Sequence, residues 1–133
     1  MNCLFCNIAQ KAIPAEIFYE NDAVVAFLDI HPRSLGHSVI IPKVHAENII
    51  DLGDEAIKPL FLAVKNVTEI LDRRLHPHGF TIGINHGKVA GQAVDHVHVH
   101  VIPRYANDGG GSLHSVVNNP PEKSIKNLAK ELR

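Results

Sequence analysis

The sequence predicts an α+β fold, with a mainly antiparallel, five-stranded sheet, one long helix and a C-terminal helix. Three short apolar stretches follow one another before any helical pattern begins, and consecutive short strands favour antiparallel pairing. A single long stretch with helical periodicity stands among the strands without alternating with them, which argues against a doubly wound parallel sheet. These two observations place the chain in the α+β class.

The N-terminal third is predicted to hold a short apolar turn at the two cysteines and then three strands. Residues 17–19 and 24–28 are apolar stretches separated by the turn signal Glu-Asn-Asp, which predicts a hairpin. A loop over 31–36 leads to a third strand over 37–41, which ends at Pro42.

The rest of the chain is predicted to hold the long helix, two more strands and a terminal helix. Apolar residues recur every three or four positions over 54–76, with acidic residues at the start and Arg-Arg near the end, which predicts an amphipathic helix. Strands are predicted over 80–84 and 96–102, the second stopped by Pro103. Residues 124–132 are predicted to form the terminal helix.

Size and charge narrow the classes of function. The 133 residues suit one hydrophobic core and contain no linker or repeat, so 1–133 is expected to be a single domain. The 13 Lys and Arg against 14 Asp and Glu give a net charge of −1, which disfavours nucleic-acid and membrane-surface binding. With no secretory signal and no apolar stretch near the ~18 residues of a membrane span, the expected location is cytoplasmic.

The compositional oddity is ten histidines, three of which alternate with valines over 96–100. A side-chain period of two places these three imidazoles on one face of the predicted strand and the valines in the core. A lone histidine would most simply be a surface residue, but three in register predict a functional face, because Thr or Val forms strands better. The rings could share one ligand, divide between two adjacent tasks, or hold a catalytic metal.

The chain has two cysteines, Cys3 and Cys6, spaced as C-x-x-C. This number is far below that of a small secreted disulfide scaffold. The spacing suits a metal knuckle or a redox pair, and two buried thiols are a third interpretation. A metal site would require ligands from elsewhere in the chain.

The segment His96 to Arg104, His-Val-His-Val-His-Val-Ile-Pro-Arg, resembles the signature of the histidine triad (HIT) family of nucleotide hydrolases and transferases, with its Hint and Fhit branches. The chain is similar to the small prokaryotic members, and the likeness covers nearly all of it. Other motifs stand in the family's order and spacing: Phe27-Leu28-Asp29-Ile30, Pro32, Gly36-His37, Ile41-Pro42-Lys43, His45, Ile84-Asn85 and Gly91-Gln92.

The resemblance implies two catalytic residues. His98 would be the nucleophile that attacks the α-phosphorus of a nucleotide, forming a nucleotidyl-histidine that water then hydrolyses, and His100 would contact the α-phosphate. The expected substrates are purine nucleoside monophosphate derivatives: a phosphoramidate, a dinucleoside polyphosphate or an adenylated adduct. An alternative is a nucleotide-binding regulatory module with little catalysis.

The resemblance also implies a nucleotide site in which the Asp29 carboxylate accepts hydrogen bonds from the ribose hydroxyls. Many family members have Ser or Thr where this chain has Ala93, which leaves the substrate preference open. The other implied nucleotide-binding residues are Phe5, Ile8, Phe27, Ile30, His37, Asn85, Gly91, Gln92, Ala93, His98 and His100.

The four-ligand zinc site of a prokaryotic subset of the family matches Cys3, Cys6, His45 and His96. Four protein ligands leave no open position, so the resemblance implies a structural zinc. It also implies a homodimer in which two sheets join edge to edge, since this would cover strand edges that an open sheet exposes.

Overall fold

The computed structural model describes residues 2–133, and its centre is a five-stranded antiparallel sheet. The strands pair in the order β1-β2-β3-β5-β4. Their bounds are β1 Ile17–Glu20, β2 Val24–Leu28, β3 Ser38–Pro42, β4 Gly79–Gly83 and β5 Val99–Arg104. The helices are α1 Leu4–Ala9, α2 Asp54–Leu75 and α3 Ile125–Leu132, with short 3-10 helices at Lys88–Ala90 and Leu113–Ser115. The predicted α+β class and antiparallel sheet are confirmed.

The long helix α2 covers one face of the sheet. Its buried residues recur at helical spacing, and Asp54 and Glu55 in its first turn and Arg73 and Arg74 in its last turn complement the helix dipole. The apolar cluster that it forms with the strands contains Val24, Ala26, Ile40, Leu60, Ala63, Val64, Val67, Leu71, Val97, Val99 and Val101. Helix α2 thus forms the larger of the two cores.

The short helix α1 covers part of the other face. Alternate residues of β2 and β3 point to this side and form a second, smaller cluster: Phe5, Ile8, Val25, Phe27, Val39 and Ile41. Because β2 and β3 are covered on both faces, their sequences are continuous apolar runs and do not alternate. The side chains of the histidine segment lie on this second face, beside α1.

Two predicted elements differ in the structure. The segment at the cysteines is a six-residue helix, α1, and not a turn; Cys3 is its N-cap, with its Sγ accepting the Cys6 N–H at 3.4 Å. So short a helix shows less than two periods of the apolar pattern.

The fifth strand begins at Val99, not at residue 96, and continues through Pro103 to Arg104. The Val97 N–H donates to the Ala46 carbonyl at 2.8 Å, outside the sheet. Pro103 does not end the strand because β3 pairs only with Val99–Val101, so Pro103 lies where β5 is bonded on the β4 side alone.

No helix within residues 2–133 combines the length and the apolar character needed to cross a lipid bilayer.

Gly36→Ala is expected to lower the free energy of unfolding by about 1–3 kcal/mol, because overpacking a tight site costs this much. Gly36 has a φ of +92°, and an added Cβ would lie 2.5 Å from Leu75 Cδ1. Gly79→Ala is the matched control, since a Cβ there meets nothing within 4 Å. Urea denaturation of both variants measures the difference, and equal midpoints would contradict the argument.

Candidate active site and metal centre

His98 lies immediately before β5 and is 6% exposed. Its Nδ1 lies 2.7 Å from the carbonyl oxygen of His96, and only a protonated Nδ1 can form this hydrogen bond. A neutral imidazole carries one proton, so the lone pair of His98 is on Nε2. The ring of Phe5 packs edge-on against the His98 ring, with centroids 4.9 Å apart. The hydrogen bond and the Phe5 contact therefore orient the His98 ring, with its lone pair on Nε2.

His100 lies two residues further along, in β5, with its ring centroid 5.0 Å from that of His98. Its Nδ1 is 2.9 Å from Nε2 of His37, the residue directly before β3. Burial is the main cause that lowers the pKa of His100 to about 4, and the neighbouring His98 and His37 act in the same direction. The Asp29 carboxylate opposes them. His100 is therefore neutral at neutral pH.

Asp29 directly follows β2 and lies beside this pair of rings. Its Oδ1 accepts the His31 N–H at 2.8 Å, and its Oδ2 is 3.5 Å from His37 Nε2. The Asp29 N–H donates to the His37 carbonyl at 2.9 Å, which ties the two residues together. A carboxylate is thus held at the same end of the sheet as His100.

Apolar side chains border the same site. Phe5 and Phe27 pack edge to face with ring centroids 5.6 Å apart, and Ile8 belongs to their buried cluster. Ile30 is 82% exposed and lies outside this cluster. The structure thus brings together three of the four apolar residues, Phe5, Ile8 and Phe27 but not Ile30, that the resemblance implies bind the nucleotide.

The loop between β4 and the histidine segment contains Asn85, Gly91, Gln92 and Ala93. Gly87 and Gly91 have φ values of +87° and +101°, which favour glycine, and Asn85 and Ala93 are exposed. A Cβ on Gly91 would lie 3.7 Å from the Asn85 amide. This is an ordinary van der Waals distance, so the positive φ of Gly91, and not a lack of space, favours glycine here.

Gln92 is buried, and its amide bonds to the backbone on both sides of this loop. Its Oε1 accepts the Gly87 N–H at 2.8 Å, and its Nε2 donates to the Glu47 and Val94 carbonyls at 2.7 and 3.0 Å. In this structure Gln92 therefore fastens the loop to the segment that follows β3.

The four residues matched to a metal site converge beside His98. His45 Nδ1 lies 3.2 Å from His96 Nδ1 and 3.3 Å from Cys6 Sγ. His96 Nδ1 lies 3.5 Å from the Sγ atoms of both Cys3 and Cys6. The N-cap residue Cys3, Cys6 in the first turn of α1 and two histidines distant in sequence thus bring their donor atoms close together.

These distances fit zinc. Bonds of about 2.05 Å to nitrogen and about 2.3 Å to sulfur give tetrahedral edges of about 3.3 Å between nitrogens and about 3.6 Å between nitrogen and sulfur. The Nε2 of His96 lies 2.8 Å from the Pro42 carbonyl, so it carries the proton and leaves the lone pair on Nδ1, facing the cysteines. Backbone carbonyls commonly orient metal-bound histidines in this way.

A bound cation would offset the cost of thiolates at this site. Burial is the main cause that raises the pKa of the Cys6 thiol, and Cys3 beside it adds to the effect. Burial also lowers the pKa of His96, which keeps that ring neutral. Two neighbouring thiolates are costly in a half-buried site unless a positive ion offsets their charge.

Sequence reasoning missed the backbone groups that orient these rings. The carbonyls of His96 and Pro42 decide which nitrogen of His98 and His96 carries the proton. No residue type marks them, because any residue supplies a carbonyl and only the fold decides where it points.

Known proteins share the sequence of this chain over most of its length. A family model described as HIT domain matches residues 10–107. An uncharacterized HIT-like protein of Methanocaldococcus jannaschii is 45% identical over 107 residues, which cover 80% of this chain and 82% of that protein. An adenosine 5′-monophosphoramidase of Schizosaccharomyces pombe is 40% identical over 104 residues, covering 78% of this chain and 75% of that enzyme.

Solved structures match the whole fold. A crystal structure of a HIT family member from Bacillus subtilis has a TM-score of 0.88 and 35% identity, covering 99% of this chain and 95% of that one. A zinc-bound histidine triad family protein from Mycobacterium smegmatis has a TM-score of 0.76 and 31% identity, covering 92% and 85% of the two chains.

The free energy of unfolding is expected to fall as the pH is lowered from about 6.5 towards 4. In the unfolded chain His100 has its usual pKa of 6.5 and gains a proton within this pH range. In the folded chain its pKa is about 4, so His100 stays neutral until the pH reaches about 4. Acid therefore favours the unfolded state, which binds more protons. Urea denaturation at several pH values measures this loss.

The variant His100→Asn isolates the contribution of His100. Its amide oxygen can still accept the hydrogen bond from His37, but the side chain does not titrate. The metal ligands are the same in both proteins, so a smaller loss of stability in the variant is expected. Identical pH dependence in the two proteins would show that His100 does not contribute.

Proposed function

Because the chain belongs to the HIT domain family, we propose that it is a single HIT domain that cleaves purine nucleoside monophosphate derivatives at the α-phosphate, through a nucleotidyl-histidine intermediate. The observation that supports this most directly is the hydrogen bond from His98 Nδ1 to the His96 carbonyl, which leaves the Nε2 lone pair free to attack. The adenosine 5′-monophosphoramidase among the relatives performs chemistry of this class.

The proposed reaction has two displacements. First, the Nε2 lone pair of His98 bonds to the α-phosphorus, and the bond to the leaving group breaks with its electron pair departing on that group. An amine leaving group takes up a proton from solvent as it departs. Water then attacks the phosphorus and loses a proton, and the nitrogen–phosphorus bond breaks, returning the lone pair to Nε2. The products are the leaving group and a nucleoside monophosphate such as AMP.

Neighbouring groups stabilise the charges that develop in these steps. The His96 carbonyl faces the Nδ1–H of His98, so its dipole offsets the positive charge on the imidazole as Nε2 attacks. His100 is neutral near pH 7 and donates a hydrogen bond to a phosphate oxygen. The Asn85 amide offers a second donor without adding charge.

The nucleoside is proposed to lie across α1 and the end of β2. The Asp29 carboxylate accepts from the ribose hydroxyls, and Phe5, Ile8 and Phe27 with the exposed Ile30 contact the base. His37 lies beside Asp29, and the loop of Gly91, Gln92 and Ala93 lies on the phosphate side. Ala93 offers no hydroxyl to the leaving group, so this chain relies on other groups for that contact.

A structural zinc held by Cys3, Cys6, His45 and His96 is part of the proposal. Its ligand atoms fit tetrahedral geometry, and the four protein ligands leave no position for substrate. When bound, zinc supplies rigidity and offsets the charge of the thiolates. The ring of His96 would be fixed by the metal while its carbonyl orients His98.

We also propose a cytoplasmic homodimer. Exposed strand edges favour pairing with another chain, and β4 lies at one edge of the sheet with Ile82 exposed on it. The opposite edge strand, β1, ends at Glu20, whose carboxylate forms ion pairs with Lys11 and Lys43. Zinc-binding thiols favour a reducing compartment. Light scattering of the purified chain measures the dimer.

Wild-type protein mixed with adenosine 5′-phosphoramidate and quenched early at neutral pH is expected to gain the mass of one adenylate, and AMP should accumulate. His98→Ala should show neither adduct nor AMP, because the nucleophile is missing. His114→Ala, at an exposed position, is the control that should behave as wild type. Intact-protein mass spectrometry measures the adduct.

If wild type binds AMP but forms no adduct and releases no product, the enzymatic proposal is wrong. The protein would then be a nucleotide-binding module.

Elemental analysis is expected to find one zinc per chain in wild type and in His98→Ala, and less than one-tenth of this in Cys6→Ala. A single thiolate and two imidazoles bind zinc far more weakly than the complete set of four ligands. Metal retained by Cys6→Ala would contradict the assignment. Metal lost from His98→Ala would instead support a catalytic metal on the histidine segment.

A further inference from the structure

We propose that His37 is a positioning residue that sets the tautomer of His100, so that His100 keeps its proton on Nε2 and can donate it to the substrate. This inference rests on the proposed function for its purpose, although its geometry is independent of turnover. It assigns His37 a role other than the nucleotide contact that the family resemblance implies.

The backbone of Arg33 sets the tautomer of His37. The backbone N–H of Arg33 points at Nδ1 of His37, with a nitrogen–nitrogen distance of 3.0 Å. A backbone N–H can only donate, so Nδ1 of His37 must hold a lone pair. The single proton of the neutral His37 ring is therefore on Nε2.

The His37 ring contacts the His100 ring directly. His37 Nε2 and His100 Nδ1 are 2.9 Å apart, a normal hydrogen-bond distance. Because Nε2 of His37 carries the proton, Nδ1 of His100 is the acceptor. The proton of neutral His100 is consequently on Nε2, the nitrogen on the side of the ring away from His37.

Two alternatives to this arrangement, a bond from His37 to Asp29 and a doubly protonated His37, fit less well. Asp29 Oδ2 is 3.5 Å from His37 Nε2, considerably further than His100 Nδ1. A doubly protonated His37 would place a second N–H against the Arg33 N–H. His37 is 4% exposed, and burial is the main cause that lowers its pKa, with Asp29 opposing and Arg33 adding to the effect. The ring is therefore neutral and directed at His100.

A metal ion at this point is disfavoured by the same hydrogen bond. Donor atoms of Asp29, His37 and His100 lie within 4.8 Å of one another, which could accommodate a metal. Coordination through His37 Nε2 would require the proton to move to Nδ1, directly against the Arg33 N–H. The cluster is thus built as a directional chain of hydrogen bonds.

The Arg33 N–H is itself held in place by the end of β5. Ser34 Oγ donates to the Pro103 carbonyl at 2.7 Å, and the Tyr105 hydroxyl donates to the Leu35 carbonyl at 3.0 Å. The His37 N–H closes the loop by donating to the Ser34 carbonyl at 3.2 Å. The strand that bears His100 therefore anchors the loop that orients its partner.

The result is that His98 and His100, two residues apart, hold opposite tautomers. His98 is protonated on Nδ1 by its bond to the His96 carbonyl, and His100 on Nε2 through His37. One ring can then attack phosphorus while the other donates to a phosphate oxygen.

Two variants at His37 test this role. His37→Gln can place an amide N–H where Nε2 lies and keeps the donor, whereas the ionised carboxylate of His37→Glu has a similar length and offers only acceptors. We expect kcat within tenfold of wild type for His37→Gln. For His37→Glu we expect a loss of about 100-fold in kcat with KM changed much less, as when one preorganised donor is removed. His114→Gln is the control.

Nitrogen-15 NMR of the imidazoles shows which nitrogen of His100 carries the proton. A general loss of structure would not move this proton from one nitrogen to the other. Wild type and His37→Gln should show His100 protonated on Nε2, and His37→Glu should show it protonated on Nδ1. His100 protonated on Nδ1 in wild type would overturn the proposal, as would equal kcat for the two variants when both are folded.

Zinc titration tests the alternative that Asp29, His37 and His100 bind a metal ion. A second equivalent of zinc that binds wild type and is lost in His37→Gln would also overturn the proposal. If wild type shows the expected tautomers but forms no adenylate adduct, the proposed function fails and the assignment of His37 to the His100 tautomer stands.

Discussion

The hydrogen bond from His98 Nδ1 to the carbonyl of His96, 2.7 Å long, is the interaction on which the candidate active site depends. It leaves the lone pair on Nε2, and it makes the orientation of one histidine depend on the backbone of another. The ring of His96 in turn belongs to the cysteine-containing cluster and bonds to the Pro42 carbonyl. The candidate metal centre and the candidate nucleophile therefore share one residue, and whatever fixes His96 also orients His98.

The sheet explains why this shared residue can exist. The valines between the histidines join the core under α2, and the imidazoles consequently emerge on the face that α1 covers only in part. Helix α1 supplies Phe5 against the His98 ring and, through Cys3 and Cys6, the thiols beside His96. The small cluster beneath α1 therefore supports the chemistry, and the larger core beneath α2 holds the strands in register.

Much of the fold could be predicted because local patterns were strong. Helix α2 spans several turns of apolar residues at helical spacing, and its observed start agrees with the acidic residues that predicted it. Helix α1 and the true start of β5 were predicted wrongly, since both depend on contacts distant in sequence. The Val97 N–H bonds to Ala46, and the Cys6 thiol contacts His45. The metal ligands and nucleotide contacts remain predictions that the geometry favours.

By itself, the sequence determined which residue types alternate and therefore which side chains share a face. The spacing of two in His96, His98 and His100 places three imidazoles together whatever surrounds them. Only the tertiary structure decided what each imidazole does, because a histidine ring can donate or accept at either nitrogen. The choice was made by groups distant in sequence: the Pro42 carbonyl for His96 and the His37 ring for His100. Such partners are set by the three-dimensional path of the backbone, which no local pattern of residue types records.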